Sequence, residues 1–195
     1  MTPLQHQEHS MALTINHQTN EISNNGVITF NGVAVGGDNS PKWYGSRAIM
    51  AGGNAFGSGA SNVIDYVTVQ TTGNATDFGD LVLARSQTSA VSDGSRGVIT
   101  GANASNVIDY ITIATTGNAQ DFGDLSVARS AVGSSNGTIG IFAGGWDGGA
   151  RLNVIDTITI ATTGNATDFG DLITARSAHA ACADSTRALW AGGLD

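Results

Sequence analysis

Apolar residues in this chain come in runs of four to eight, cut by clusters of Gly, Asn, Asp and Ser, which is the pattern of short strands and not of helices. Residues 130 to 176 show it best. Strands are expected at Ala131 to Ser134, Ile139 to Ala143, Val154 to Ala161 and Phe169 to Thr174. Asn136-Gly137 between the first two is a type I′ hairpin signal, and Asp93-Gly94 plays the same part earlier in the chain. In the third strand Val154 and Ile158 stand among Ile155, Thr157 and Ile160, so both faces are apolar and a sheet covered on both sides is predicted.

The same segment is written three times. Asn62-Val63-Ile64-Asp65-Tyr66 runs on through Thr71-Thr72-Gly73-Asn74-Ala75-Thr76-Asp77-Phe78-Gly79-Asp80-Leu81 to Arg85. The second copy spans Asn106 to Arg129 and the third Asn153 to Arg176, at spacings of 106 − 62 = 44 and 153 − 106 = 47 residues. A period in this range is the mark of stacked supersecondary units. The units run about 43–85, 86–129 and 130–176, with a partial one at 177–195.

These residues resemble the kelch-type β-propellers. The second strand closes in a double glycine at Gly52-Gly53, Gly144-Gly145 and Gly192-Gly193. A third strand with Tyr66 or Tyr110 follows, then an aromatic at Phe78, Phe122 or Phe169, and an Arg at the close of the fourth strand (Arg85, Arg129, Arg176). The sequence departs from the family in having Phe where Trp is usual, Gly101-Ala102 for the second double glycine, and Thr157 for the third Tyr. The resemblance implies an all-β fold of four-stranded propeller blades. About three and a half such units fall short of the 4 to 8 blades at which propellers close, so a second copy or a larger assembly is expected to complete the ring.

The first 42 residues differ in composition. They hold both glutamates, Glu8 and Glu21, and the only lysine, Lys42. Gly26 to Phe30 and Val33 to Val35 flank Asn31-Gly32, which predicts a hairpin on a β-rich attachment segment. The run Met11-Ala12-Leu13-Thr14-Ile15-Asn16 through Asn20-Glu21-Ile22 resembles the small β-rich openings of bacteriophage virion proteins, and the near-verbatim Thr-Thr-Gly-Asn-Ala-Thr-Asp-Phe-Gly-Asp-Leu repeat resembles repeats of marine bacteriophage structural proteins. That resemblance implies a non-enzymatic virion protein, assembled in the host cytoplasm and joined to itself and to other virion proteins through residues 1–42. It would act as a tail fibre or surface appendage adhering to a host-surface glycan. The alternative is a capsid decoration or tail adaptor that touches only virion proteins.

Composition narrows the field further. Eight Lys and Arg against 16 Asp and Glu give a net charge of −8, the wrong sign for a nucleic-acid partner. No apolar run has the length of a spanning helix, and the polar opening Met1 to His6 has no signal-peptide pattern, so no membrane insertion is expected. The lone Cys182 excludes an internal disulfide and reads as a small core residue. No cofactor or metal is expected: the four histidines lack zinc-ligand spacing, and the pairs Asp77/Asp80, Asp121/Asp124 and Asp168/Asp171 match no calcium loop. Asp-Phe-Gly recurs three times but lacks every other part of a kinase site. A galactose-oxidase-like copper centre would need His and Tyr ligands that the repeats do not supply. The Asn-x-Ser/Thr triplets, such as those at Asn74 and Asn165, read as turn residues.

Two sets of residues remain as candidates. Gly52, Gly53, Gly144, Gly145, Gly192, Gly193, Arg85, Arg129, Arg176, Phe78, Phe122 and Phe169 recur in register, and exact repetition points to architecture. The loops after the second strand instead change in length and chemistry, and variable loops on a rigid frame are where recognition sits. Trp146 beside Asp147 is the leading candidate there, as an aromatic platform with a carboxylate, joined by Arg151, Asn54 and Phe56.

Overall fold

The computed structural model describes residues 14–16, 21–23, 29–30, 33–34, 45–55, 59–101 and 105–195. The chain forms two compact units, Met1–Lys42 and Trp43–Asp195. In the first, β1 (Thr14–Asn16) pairs antiparallel with β2 (Glu21–Ser23), and β3 (Thr29–Phe30) with β4 (Val33–Ala34). Asn31 and Gly32 between the latter pair lie outside the described residues.

The second unit is all-β among its described residues, and its sheets are antiparallel. β5 (Arg47–Ala51), the short β6 (Asn54–Ala55), β7 (Gly59–Thr68) and β8 (Thr76–Arg85) form the first sheet, with β7 central. β9 (Ser89–Ser92), β10 (Arg96–Thr100), β11 (Val107–Thr112) and β12 (Gln120–Asp124) form the second, as a meander in sequence order. β13 (Val132–Ser135), β14 (Ile139–Ala143), β15 (Val154–Thr159) and β16 (Thr167–Asp171) repeat that order in the third. A two-stranded sheet of β17 (Ala180–Ala183) and β18 (Ala188–Ala191) follows.

Apolar faces stack between successive sheets. Ile64, Phe78 and Leu81 meet Ile99, Ile111 and Ala119 in one core, while Val98, Ile108, Phe122 and Leu125 meet Phe142, Ile158 and Ile160 in the next. The second sheet is thus buried on both faces, as the doubly apolar strand pattern requires. Each such aliphatic or aromatic side chain contributes about 1.5–3 kcal/mol.

A second device joins the sheets by backbone. The Thr-Thr-Gly-Asn-Ala turn of one sheet lies along the fourth strand of the sheet before it. Gly117 and Ala119 donate to the carbonyls of Phe78 and Asp80, and Asn118 Oδ1 accepts from the Asp80 N–H. Gly164, Ala166 and Asn165 do the same to Phe122 and Asp124. This contact explains the glycine of Asp-Phe-Gly-Asp. A Cβ on Gly79 would come within 2.5 Å of the Gly117 carbonyl group, and one on Gly123 within 2.5 Å of that of Gly164.

Three expectations need correction. The fourth strand was expected over Phe169 to Thr174, yet β16 is Thr167–Asp171. The pairing slips between Ile155 and Asp156, and the resulting bulge starts the strand earlier and ends its ladder at Asp171. Arg129 and Arg176 therefore follow their fourth strands, and only Arg85 closes one. The hairpins at Asp93-Gly94 and Asn136-Gly137 are not type I′, because only the glycines take positive φ. Asp93 Oδ1 and Asn136 Oδ1 each accept two backbone N–H groups ahead of them and hold the turn by side chain. Cys182 is exposed, since β17 and β18 make a sheet of two strands that buries little.

Candidate functional site

The three repeated arginines fall into two kinds. Arg85 and Arg129 have no exposed side-chain surface and each reaches into the following sheet. Arg85 Nη2 lies 2.6 Å from Asp109 Oδ2, and Arg129 Nη1 lies 2.9 Å from Asp156 Oδ2. The same carboxylate oxygens accept backbone N–H groups from Val82 and Ser126 in the sheet that supplies the arginine. The guanidiniums also donate to carbonyls of the next sheet, Val107 for Arg85 and Phe142 and Gly144 for Arg129. The strand bulge at Ile108/Asp109 and again at Ile155/Asp156 coincides with the carboxylate that makes the pair. Burial raises the Asp109 pKa above its ordinary value, while Arg85 and the Val82 N–H act to lower it.

Arg176 is different. Among the described residues it has no ion-pair partner; its Nη1 makes one long contact of 3.4 Å to the Gly192 carbonyl and its buried Nε makes none. The aromatics divide in the same way. Phe78 and Phe122 are 2% and 3% exposed, whereas Phe169 is 63% exposed. Tyr66 and Tyr110 meet the two buried rings edge-on, at centroid distances of 6.0 and 6.2 Å.

The double glycines form the turns that lead from the second strand into the variable loops. All six have positive φ. At Gly145 a Cβ would lie 2.3 Å from the Ser130 carbonyl oxygen, so these turns sit directly against the starts of neighbouring strands.

Beside these turns opens a cleft of about 590 Å³, bordered by Trp146, Arg151, His179, Ser130, Gln87 and Ala178. Trp146 and Arg151 pair as an isolated bridge across the loop, with the guanidinium 5.8 Å from the indole centroid. Asp147 is already engaged: its Oδ1 accepts the N–H groups of Gly149 and Ala150 at 2.7 and 2.6 Å, and these bonds hold its pKa below the ordinary value. The polar partner of Trp146 in the cleft is therefore Arg151. Asn54 lies in β6 and does not border the cleft, and Phe56 is outside the described residues. A larger cleft of about 700 Å³ runs along β5 and β9, but Arg47 in its wall is bonded to the Ile113 carbonyl and stacked over Tyr66.

No protein-family model and no curated protein matches this chain. The site must be judged on its own chemistry.

Sequence reasoning missed His179 as a site residue and missed the Asp109 and Asp156 partners of the arginines. The aspartates were legible, since Asp65, Asp109 and Asp156 recur as regularly as the arginines do. His179 was not, because it occurs once and its burial comes from the fold. The residue is 7% exposed, with its ring set against the Ala143 carbonyl. Burial lowers its pKa below the ordinary 6.5, the nearby Ala143 carbonyl acts to raise it, and the Arg176 charge lowers it further.

A pH effect follows from that sign. Above the ordinary value both folded and unfolded chains carry a neutral imidazole. Below it the unfolded chain takes up a proton that the folded chain resists, so stability falls as pH drops through 6.5 toward the lowered folded value. Denaturant midpoints measured from pH 7.5 to 5 are expected to fall more steeply for the wild type than for His179→Gln, and parallel curves would refute the assignment.

Proposed function

We propose that the chain is a non-enzymatic structural protein of a bacteriophage particle, built as a kelch-like propeller segment on an attachment segment of residues 1–42, and displayed as a tail fibre or surface appendage that adheres to the host. The observation that carries this reading is the contrast between frame and loop. The frame repeats its buried ion pairs, turn clamps and double glycines in register. The loop from Trp146 to Leu152 departs from the repeat, and its Trp146 and Arg151 border a cleft of about 590 Å³. A rigid scaffold carrying one divergent loop suits recognition better than turnover. Many weak contacts multiplied by copy number on a particle would supply the avidity.

A specific observation favours a second reading, a decoration or adaptor protein that meets only virion partners. Phe169 is 63% exposed, and Arg176 has no carboxylate among the described residues. This is the same surface that the first and second sheets bury against a following sheet, so it suits a partner of like kind, a second copy of the chain or a related virion protein.

One map separates the two. In electron cryo-microscopy of the particle that carries the chain, the adhesion reading expects residues 1–42 embedded in the particle and the Trp146 loop facing solvent. A Trp146 loop buried against another virion protein would overturn it in favour of the adaptor.

A further inference from the structure

We infer that the first sheet of one copy of this chain docks on the third sheet of another, with Asp65 of the incoming copy paired to Arg176. This rests on the second reading above, in which the Phe169 face meets a partner, and names that partner and the groups that recognise it.

The contact is already made twice within the chain. From the first sheet to the second, and again from the second to the third, an arginine side meets an aspartate side through the pairs Arg85–Asp109 and Arg129–Asp156. Each time the Gly and Ala of the aspartate-side turn bond to the fourth strand opposite. The third sheet presents one more arginine side. Phe169, Gly170, Leu172 and Arg176 stand 47 residues after Phe122, Gly123, Leu125 and Arg129. Phe122 and Leu125 are buried, whereas Phe169 is exposed and Leu172 half-buried. A Cβ at Gly123 would strike the Gly164 carbonyl, while one at Gly170 meets nothing within 4 Å, so the place of the incoming turn is open.

The first sheet presents the matching aspartate side. Asp65 stands 44 residues before Asp109, and its strand slips in register between Ile64 and Asp65, as the others do at Ile108/Asp109 and Ile155/Asp156. The bulge therefore sets Asp65 as it sets the two paired aspartates, yet Asp65 is only half-buried and has no ion pair among the described residues. Its apolar neighbours are uncovered in the same way. Met50 is 45% exposed where Phe142 is fully buried, and Val69 is 64% exposed where Ile160 is fully buried. The Thr71–Ala75 turn is exposed throughout, and nothing lies within 4 Å of a Cβ built on Gly73.

One end thus carries the unpaired carboxylate and the other the unpaired guanidinium of a contact that is charge-paired at both of its internal occurrences. Such complementarity favours the matching partner and disfavours others. Strand two of the repeat is present at both ends, as β5 and as β18, so one of them gives way when the faces meet. β18 matches β5 there: Arg187 precedes Gly192 by five residues as Arg47 precedes Gly52, and Arg47 stacks over Tyr66 at 4.6 Å. β18 pairs only with β17 among the described residues, and a free edge recruits a strand. Because the two faces differ, the contact is head to tail and ends in a ring or a filament.

Light scattering on the full chain tests the contact by exchange of charge. The wild type is expected at a multiple of 19.8 kDa. Asp65→Arg and Arg176→Asp, each alone, should run near 19.8 kDa with thermal midpoints within a few degrees of the wild type, since each brings like charges together. An equimolar mixture of the two should assemble again, because every contact between unlike variants joins an arginine to an aspartate. A wild type that stays at 19.8 kDa at every concentration overturns the proposal, and this measurement needs no variant to fold. Assembly of either variant alone, or a mixture of folded variants that stays monomeric, also overturns it. Val69→Lys, on the same face and away from both charges, should lower the assembled mass as well, and an unchanged mass would refute the face. Assembly with the Trp146 loop facing solvent in the particle map would leave this contact standing and remove the adaptor reading. A monomeric chain whose Phe169 face is covered by a different protein in that map would do the reverse.

Discussion

Arg129→Met is expected to lower the unfolding free energy by about 3–5 kcal/mol, the range for removing one partner of a buried ion pair. Arg129 and Asp156 have no exposed side-chain surface, and the Asp156 Oδ1 already lacks a partner. Removing the guanidinium would leave the whole carboxylate in the apolar layer between the second and third sheets with only the Ser126 N–H. It would also take a donor from the Phe142 and Gly144 carbonyls that Arg129 now serves. The charge, more than the lost bond, sets the cost, so the double change Arg129→Met with Asp156→Leu should recover at least half of it. Urea denaturation of the three proteins decides the matter. A single-variant loss under about 1 kcal/mol, or a double variant no better than the single, would show that the pair is not the clamp between these sheets.

Much of this arrangement was readable before any coordinates. The strand at Ile139–Ala143 follows from its apolar, β-branched run, the one expected over Val154 to Ala161 stops at Thr159 where the Thr-Thr-Gly-Asn-Ala turn begins, and register repetition marked Arg85, Arg129 and the double glycines as parts of a frame. The bulge between Ile155 and Asp156 was not readable, because the extra residue it puts on β16 is a matter of pairing with β15 and not of the pattern of apolar positions. Asp147 was misjudged for a related reason. A carboxylate beside a tryptophan looks available in sequence, but Gly148 and Gly149 let the loop fold back so that Asp147 caps it. His179 and Arg151 come together only through the packing of turns from different repeats, and no linear spacing encodes that meeting.

Gly123→Ala and Gly170→Ala test how far the sheet-to-sheet contact extends. At Gly123 the new methyl group meets the Gly164 carbonyl at 2.5 Å on a backbone with φ of 144°. Strain of about 1–3 kcal/mol then adds to about 1–3 kcal/mol for forcing packed elements apart. Gly170 has φ of 138° and nothing within 4 Å of the added carbon, so only the first cost applies and Gly170→Ala should be the milder change in stability. Equal losses would mean that φ alone governs these positions and that the turn clamp does little. Assembly reverses the ranking. If another copy places its own Thr-Thr-Gly-Asn-Ala turn on β16, the Cβ at position 170 blocks that turn as the one at 123 blocks Gly164. Light scattering should then show an oligomer for the wild type and a species near 19.8 kDa for Gly170→Ala. A wild-type chain that is monodisperse at that mass would remove self-assembly and leave the exposed Phe169 face to a different partner.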